Sequence, residues 1–590
     1  VEQPINGRLV RAALLLVVPA LLLTSFTVTR QGPLPAPVLP PSFDVASAVA
    51  TTRELALDHP SRVPGTALAD GAARWYREKL ALYGLEARED TWEEDVPGLG
   101  QRRLRNIVTV VPGSSDDVIV FLAHRDNTGR GPGANVNASG TAALIELARG
   151  YAQLGTVTGR PQPQHTLVFL SSDGGAYGGY GAARFASSSA LRDRLIAVVS
   201  LDGIAGRARP RLALSGFGSR SPAPALVRTA SVRVAEQTTK EPSHPDWLTQ
   251  LVDLGIPFGY GEQAPFLGRG ISAVRLATVG EGAGNAAGDT PESLDIVRFE
   301  RLGRAAEALL SSLDASVAFA GDTAGSLYLG DRAVRGWAIE LVLLASLVPF
   351  LVGAIDLYAR CRKRGLSLRG GWLGLRTRLG LWLWVGAVVT FGAFVGIFPR
   401  NGSLPPSPDS PVVSDWPVAG LLALLALVGV GWLRARPRLA ARGAPDAADE
   451  LAGYAVALLA LGGVAVGTAV ANPYAILFLV PSLYAWLWLP QVQARSGWAR
   501  DALYGIGLVG PALALVAVAN QLDLGLDAPL YVAALMTLGF VPWPTVLALL
   551  AWAAIAAQLG ALAGGRYRPG GVRATAESAG GDEPAALSEG

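Results

Sequence analysis

From Trp337 onward the chain is a succession of apolar runs, at 337–359, 379–398, 417–433, 451–470, 474–489, 502–519 and 545–563. Each approaches the roughly 20 residues that a helix needs to cross a hydrocarbon core. In a bilayer the N–H and C=O groups of such a run find no water, so they must pair along the segment itself as a helix. Residues 337–565 are therefore expected to form an all-α transmembrane bundle of about seven spans. A shorter piece, 530–541, ends in Pro542-Trp543-Pro544 and is open between a re-entrant segment, an interfacial helix and a further span. The centres of the runs carry almost no ionisable residues, with Glu340 and Asp356 near ends, which speaks against an ion-coupled transporter. Gly392-Ala-Phe-Val-Gly396 and Gly463-Val-Ala-Val-Gly467 are small-xxx-small patterns suited to close helix packing.

Arginine placement orients the bundle. Arg360, Arg362, Lys363, Arg364, Arg369, Arg376 and Arg378 crowd one loop, Arg434, Arg436, Arg438 and Arg442 the next alternate loop, Arg495 and Arg500 another, and Arg566, Arg568 and Arg573 the tail. The positive-inside rule makes these loops cytoplasmic and puts residues before Trp337 outside. The start of the chain agrees: Arg8 and Arg11 precede an apolar run at 12–27, read as a signal anchor within 1–30. A net charge of +3, with the arginines beside apolar runs, points to membrane topology and excludes nucleic acid as a partner. The expected location is the cell membrane, multi-pass, in a bacterial cell. Residues 566–590 are expected to be a disordered cytoplasmic tail.

Between these membrane parts lie a Pro-rich linker (31–41), a soluble unit (42–315) and a second linker (316–336). Strand candidates at 107–111, 118–123, 166–170, 197–201, 211–214 and 273–277 alternate with helices, which predicts an α/β domain with a mostly parallel central sheet and flanking helices. Its first helix is expected at 72–83, with Ala72, Trp75, Tyr76 and Leu80 on one face and Gly84 as the stop; 221–237 and 297–315 read as covering helices. Cys361 is the one cysteine, so the domain must hold together without disulfides.

The stretch Asp117-Val-Ile-Val-Phe-Leu-Ala-His124-Arg-Asp126 is a buried parallel strand that carries His124 and Asp126 to its carboxyl end, where open α/β sheets place their sites. A Gly/Pro/Asn-rich loop follows, and Asn137-Ala-Ser-Gly140 starts a helix with Ser139 as its expected cap. With His59-Pro-Ser-Arg-Val-Pro-Gly-Thr66 before it and Gly288-Asp-Thr-Pro-Glu-Ser-Leu-Asp295 after it, the segment resembles the di-zinc aminopeptidase family over about 270 residues. The leading span, outer domain and later spans look like the membrane-embedded endoplasmic-reticulum members of that family.

That resemblance implies a metal site that this chain has largely lost. Val136 stands where the family has its bridging Asp. Gly175 and Ala176 stand for the general-base Glu and a metal-binding Glu, and Gln263 stands for the last His. His124 and Asp202 remain as the remnant ligands, and Asp126 matches a residue that orients the His ring. A catalytic zinc needs three protein ligands and an open water position, and its water needs a base. The expectation is a catalytically dead peptidase-like module, with no cofactor or with zinc at low occupancy. Membrane lipid is the expected surrounding of the helical bundle, and a peptide or protein partner would sit at the cleft of the outer domain, as in relatives that keep the fold and use it for binding. The competing readings are an active metallo-aminopeptidase with Asp173 or Glu262 as substitute ligands, and an accessory domain of a transporter. His165 at a strand edge and His244 in a turn-rich loop read as surface residues. If the alignment by motif is right, His124, Val136, Gly175, Ala176, Asp202 and Gln263 converge on one pocket.

Overall fold

The computed structural model describes residues 4–152, 162–256, 259–279, 286–316, 323–399, 403–408, 415–439, 446–492 and 497–567. The expected tail, with Arg568 and Arg573, lies outside them, as do Arg442 and Arg495.

A seven-stranded sheet forms the centre of the soluble domain, in the order β2 (Ala87–Val96), β3 (Gly100–Val111), β5 (His165–Ser172), β4 (Ser115–His124), β6 (Leu195–Asp202), β8 (Ser272–Ala277) and β7 (Arg211–Ala213). The four strands β5, β4, β6 and β8 are parallel, and antiparallel strands flank them on both sides. The α/β class is as expected, with a mixed sheet whose parallel part is its middle. Strand β4 shows why its sequence lacks alternation. Val118, Val120 and Leu122 pack on one layer with Val168, Leu170 and Phe185, while Ile119, Phe121 and Ala123 pack on the other with Ile145, Phe169 and Val199.

The connections fix where a site can form. From β4 the chain passes through α5 (Gly140–Arg149) to β5 on one side, and from β5 through α6 (Tyr180–Ser188) to β6 on the other. The carboxyl end of β4 is thus a topological switch point, where neighbouring loops part and leave a crevice. Helices α7 (Pro224–Thr238) and α10 (Ile296–Asp314) pack together as covering helices at the expected places.

Several elements depart from the sequence reading. The first helix of the domain is α3 (Val45–Asp58), capped by Asp44; the expected 72–83 helix is the second, α4 (Ala67–Leu82), capped by Thr66. Strand β2 reads AREDTWEEDV and has no apolar run because it is an edge strand. Ser139 is not a cap: it has helical backbone inside the turn Ala134–Ser139, and its hydroxyl donates to Asn135 O. The capping work falls to Asn137, whose Oδ1 accepts from Gly140 N at 3.1 Å and Gly203 N at 2.9 Å. A Cβ at Gly140 would lie 2.3 Å from Asn137 Oδ1 and 2.4 Å from Leu201 O, so this approach requires glycine. The linker 31–41 is pinned: Leu34 N donates to Thr229 Oγ1 and Leu34 O accepts from Arg233. The linker 316–336 contains a hairpin, β9 (Leu327–Leu329) and β10 (Arg332–Val334), which pairs with β1 (Thr29–Arg30) just after the first membrane helices.

Among the described residues seven helices are long and apolar enough to cross a membrane: Gly7–Phe26, Gly336–Lys363, Arg369–Phe394, Val418–Leu439, Ala447–Ala471, Gly497–Gln521 and Trp543–Ala563. The run at 474–489 is not one of them. It is broken into the 3-10 turn Pro473–Phe478 and the helices Val480–Leu487 and Leu489–Val492, with Pro473, Pro481 and Pro490 at the start of each piece. It nevertheless connects the two ends of the bundle. Asn472 bonds Leu254 O of the soluble domain at 3.0 Å, while Gln491 bonds Ile5 O at 2.7 Å, near the start of the chain. Asn6 N bonds Asp356 Oδ2 at that same end, so the basic run after Asp356 lies opposite the soluble domain. The 530–541 piece is a ten-residue helix, Ala528–Thr537, too short to span; Tyr531 donates to Pro406 O.

Candidate functional site

His124 ends β4 beneath a cleft of 680 Å³ at the switch point. Its Nδ1 lies 3.1 Å from Asp126 O and 3.4 Å from Asp126 Oδ1, and its Nε2 lies 3.5 Å from Asp202 Oδ1. Burial works against a charge on the imidazole, but Asp126 and Asp202 outweigh it and hold the ring well above its usual titration range. Strand β8 next to β6 contributes Arg275, whose Nη1 donates to Asp202 Oδ2 at 2.8 Å. Burial alone would raise Asp202; His124 and Arg275 bring it down to about 2.

The backbone of the positions that lack carboxylates is also occupied. Gly175 N and Ala176 N donate to Asp126 Oδ1 and Oδ2, at 2.9 and 3.0 Å, so Asp126 grips the turn that follows β5 as well as the His ring. A Cβ on Gly175 would fall 2.1 Å from His124 Cβ and 2.3 Å from its Cγ. This contact leaves no room for a side chain at the general-base position without moving the turn. Asn135 N and Val136 N both donate to Asp289, at 2.6 and 2.8 Å, which fixes the loop at the position where the resemblance expects a bridging Asp. Burial raises the Asp289 carboxyl even so.

Of the six positions expected to converge, His124, Val136, Gly175, Ala176 and Asp202 line the cleft. Gln263 does not: it is fully buried behind the wall, its Nε2 donating to Ser215 O and Tyr260 O, and Glu262 lines the cleft instead. The two candidate substitute ligands part company. Asp173 faces away, accepting from Arg105 N and Gly174 N and lying 3.5 Å from Arg125, and burial lifts it to about 6. Glu262 faces the cleft but is engaged by the hydroxyls of Ser172 and Ser200, with burial lifting it to about 7. His165 caps against Asp314, and His244 lies 3.4 Å from Ser231 Oγ, both away from His124. Trp75 and Tyr76 are core.

The donor set does not fit a catalytic zinc. Asp202 Oδ1 is buried without a hydrogen-bond partner and its 3.5 Å distance from His124 Nε2 would suit two ligands of one ion. Yet Asp202 already carries a guanidinium, and among the described residues no three His, Cys, Asp or Glu side chains are grouped to hold a metal. Sequence reasoning missed Arg275, an arginine inside the apolar strand SAVRLA, and Asp289, quoted only as part of a closing motif. It also missed Arg62. That buried guanidinium donates to Arg125 O, His59 O, Pro132 O and Gly133 O, tying the opening segment to the loop after β4, and burial depresses it to about 10. The cleft is closed on one side by residues from outside the domain, among them Ser407, Asn520 and Asp523; Tyr260 donates to Ser407 Oγ at 3.1 Å.

The model of Peptidase family M28 matches residues 106–307. Transferrin receptor protein 2 of Homo sapiens is 36% identical over 103 residues, 17% of this chain and 12% of that protein. BOS complex subunit NCLN of Rattus norvegicus is 33% identical over 119 residues, 18% of this chain and 21% of that protein, so the chain spans between about an eighth and about a fifth of the length of these relatives. Among solved structures, a zinc aminopeptidase from Bacillus subtilis is similar with 14% identity and a TM-score of 0.37, covering 48% of this chain and 98% of that one. A glutaminyl cyclase from Porphyromonas gingivalis has 17% identity and a TM-score of 0.37, with 46% and 98% covered.

Proposed function

We propose, starting from the match of residues 106–307 to the model of Peptidase family M28, that this domain has given up hydrolysis and serves as a membrane-tethered binding or scaffolding module. The Arg275 to Asp202 ion pair carries this reading. A fixed guanidinium supplies positive charge where the resemblance calls for a metal, and it satisfies one oxygen of a remnant ligand. The crowding of Gly175 against His124 supports it, since no side chain fits at the position where the resemblance expects the general base. The ligand class is a peptide or protein segment entering the 680 Å³ cleft, whose floor offers Asp202 and Arg275 as paired charges. Relatives named as a receptor and as a complex subunit are in keeping with binding. The arginine distribution supports a domain outside the cytoplasm, anchored in the cell membrane.

The competing reading, a single-metal aminopeptidase, has the bare Asp202 Oδ1 in its favour and needs Glu262 to leave Ser172 and Ser200. One experiment separates the two. The full chain is purified in detergent, its zinc is measured, and aminoacyl chromogenic substrates are offered with and without chelator. The expected outcome is substoichiometric zinc and no chelator-sensitive hydrolysis. About one zinc per chain, lost in His124→Ala together with hydrolysis, would overturn the proposal.

A further inference from the structure

A second cavity, of 850 Å³, lies beside the cleft, between α8 (Trp247–Gly255) and the membrane helix Gly497–Gln521. Its two halves differ in chemistry. Toward the bundle it is lined by Leu477, Phe478, Val480, Leu513 and Val516; toward the domain by Arg209, Arg211, Ser243 and His244. The apolar half is a groove with a floor: a Cβ on Gly510 would fall 1.8 Å from Phe478 O, so helix and broken segment touch there. Leu513 and Val516 are 53% and 51% exposed and form its outward wall. From Gly510 to Gln521 the helix rises about 16 Å, roughly half of a 30 Å hydrocarbon core, so the groove has the depth of one leaflet.

The polar half is cationic. Arg209 and Arg211 face one lining carboxylate, Asp253, and Arg207 stands just beyond, in the cleft. Arg209 Nη2 donates to Glu241 O at 2.8 Å and keeps further donors. Arg211, Val279, Asn520 and Gln521 line both cavities, so the groove runs on into the cleft. An apolar channel one leaflet deep that ends at two guanidinium groups is complementary to one class of molecule, an acyl chain carrying a phosphate.

We propose that this groove binds a membrane lipid with an anionic phosphate headgroup, its acyl chain along Leu513 and Val516 and its phosphate on Arg209 and Arg211, at the threshold of the M28 cleft. The site stands whether or not the cleft hydrolyses anything.

The test places the full chain in nanodiscs of phosphatidylcholine and phosphatidylglycerol, releases it, and reads the retained lipid by native mass spectrometry. Phosphatidylglycerol should be retained in preference to phosphatidylcholine. Arg209→Gln and Arg211→Gln should each weaken that retention by about fivefold. Val516→Trp, which fills an exposed apolar wall and leaves every charge in place, should weaken it as well. Excess glycerol phosphate should not displace the lipid, because a headgroup alone forgoes the groove. Equal retention of the two lipids, indifference to the arginine substitutions, or displacement by glycerol phosphate would each overturn the proposal.

Discussion

Arg275 Nη1 meets Asp202 Oδ2 across 2.8 Å on adjacent parallel strands, and both side chains are almost wholly buried. Removing the cation leaves a carboxylate in low dielectric beside His124. Arg275→Met is expected to destabilise the chain by about 3 kcal/mol, the low end for breaking a buried pair, because the His124 imidazole still faces Asp202. Thermal unfolding of the full chain in detergent measures it, and an unchanged midpoint would mean the pair is not a structural cation site.

Gly175 is closed by contact with His124. Gly175→Ala is expected to cost about 1–3 kcal/mol through overpacking, and Gly175→Glu at least as much, without conferring chelator-sensitive hydrolysis. A glutamate variant as stable as the parent would show that the turn yields more easily than its geometry implies.

Arg62 holds four backbone carbonyls around the loop after β4. Arg62→Met leaves these acceptors buried and unpaired, with an expected cost of about 3 kcal/mol or more. Proteolysis should then cut first within 127–133, and a cleavage pattern identical to the parent's would contradict the assignment.

Acidity should stabilise the chain over part of the range. Burial holds Glu262 at about 7 and Asp173 at about 6, so the folded chain binds more protons than the unfolded one between the ordinary carboxylate range and those values. Stability therefore falls as pH rises through that window. His124, raised despite its burial, contributes stability that is complete below the ordinary imidazole value and lost as pH climbs through its folded value. Asp202, brought to about 2 against its burial, contributes stability that is lost only as pH falls toward 2. The unfolding midpoint should rise between about pH 8 and about pH 5.5 and drop in stronger acid, and Glu262→Gln should flatten the neutral limb. A midpoint that is flat across this range would refute the account.

The parallel strands were legible because each is buried on both faces, which leaves short apolar runs such as VIVFLA with no alternation. Edge strand β2 was not, because solvent on its exposed positions permits a charged sequence. The positions lining the cleft were found where a motif gave the spacing, as at His124, Val136 and Asp202. Gln263 shows where spacing fails: it and Glu262 are adjacent, and a side chain's direction is set by the turn at Gly261 (φ 102°), which brings Glu262 to the cleft. Arg275 could have been found only from its oddity, a cation within a buried strand that needs a carboxylate on a neighbour. The 474–489 run reads as a span because hydropathy ignores prolines; the segment does connect both ends of the bundle, in broken pieces.

Strand β1 leaves the first membrane helices and pairs at once with β10, which leads into the helix at Gly336, so the chain's entry to the soluble domain and its exit are stitched together. Leu251, Leu254, Leu327 and Val334 of that unit share one core with Tyr474 and Leu479. A hinge between domain and bundle would have to break that shared core, so the cleft and the helices beside it are held in one arrangement.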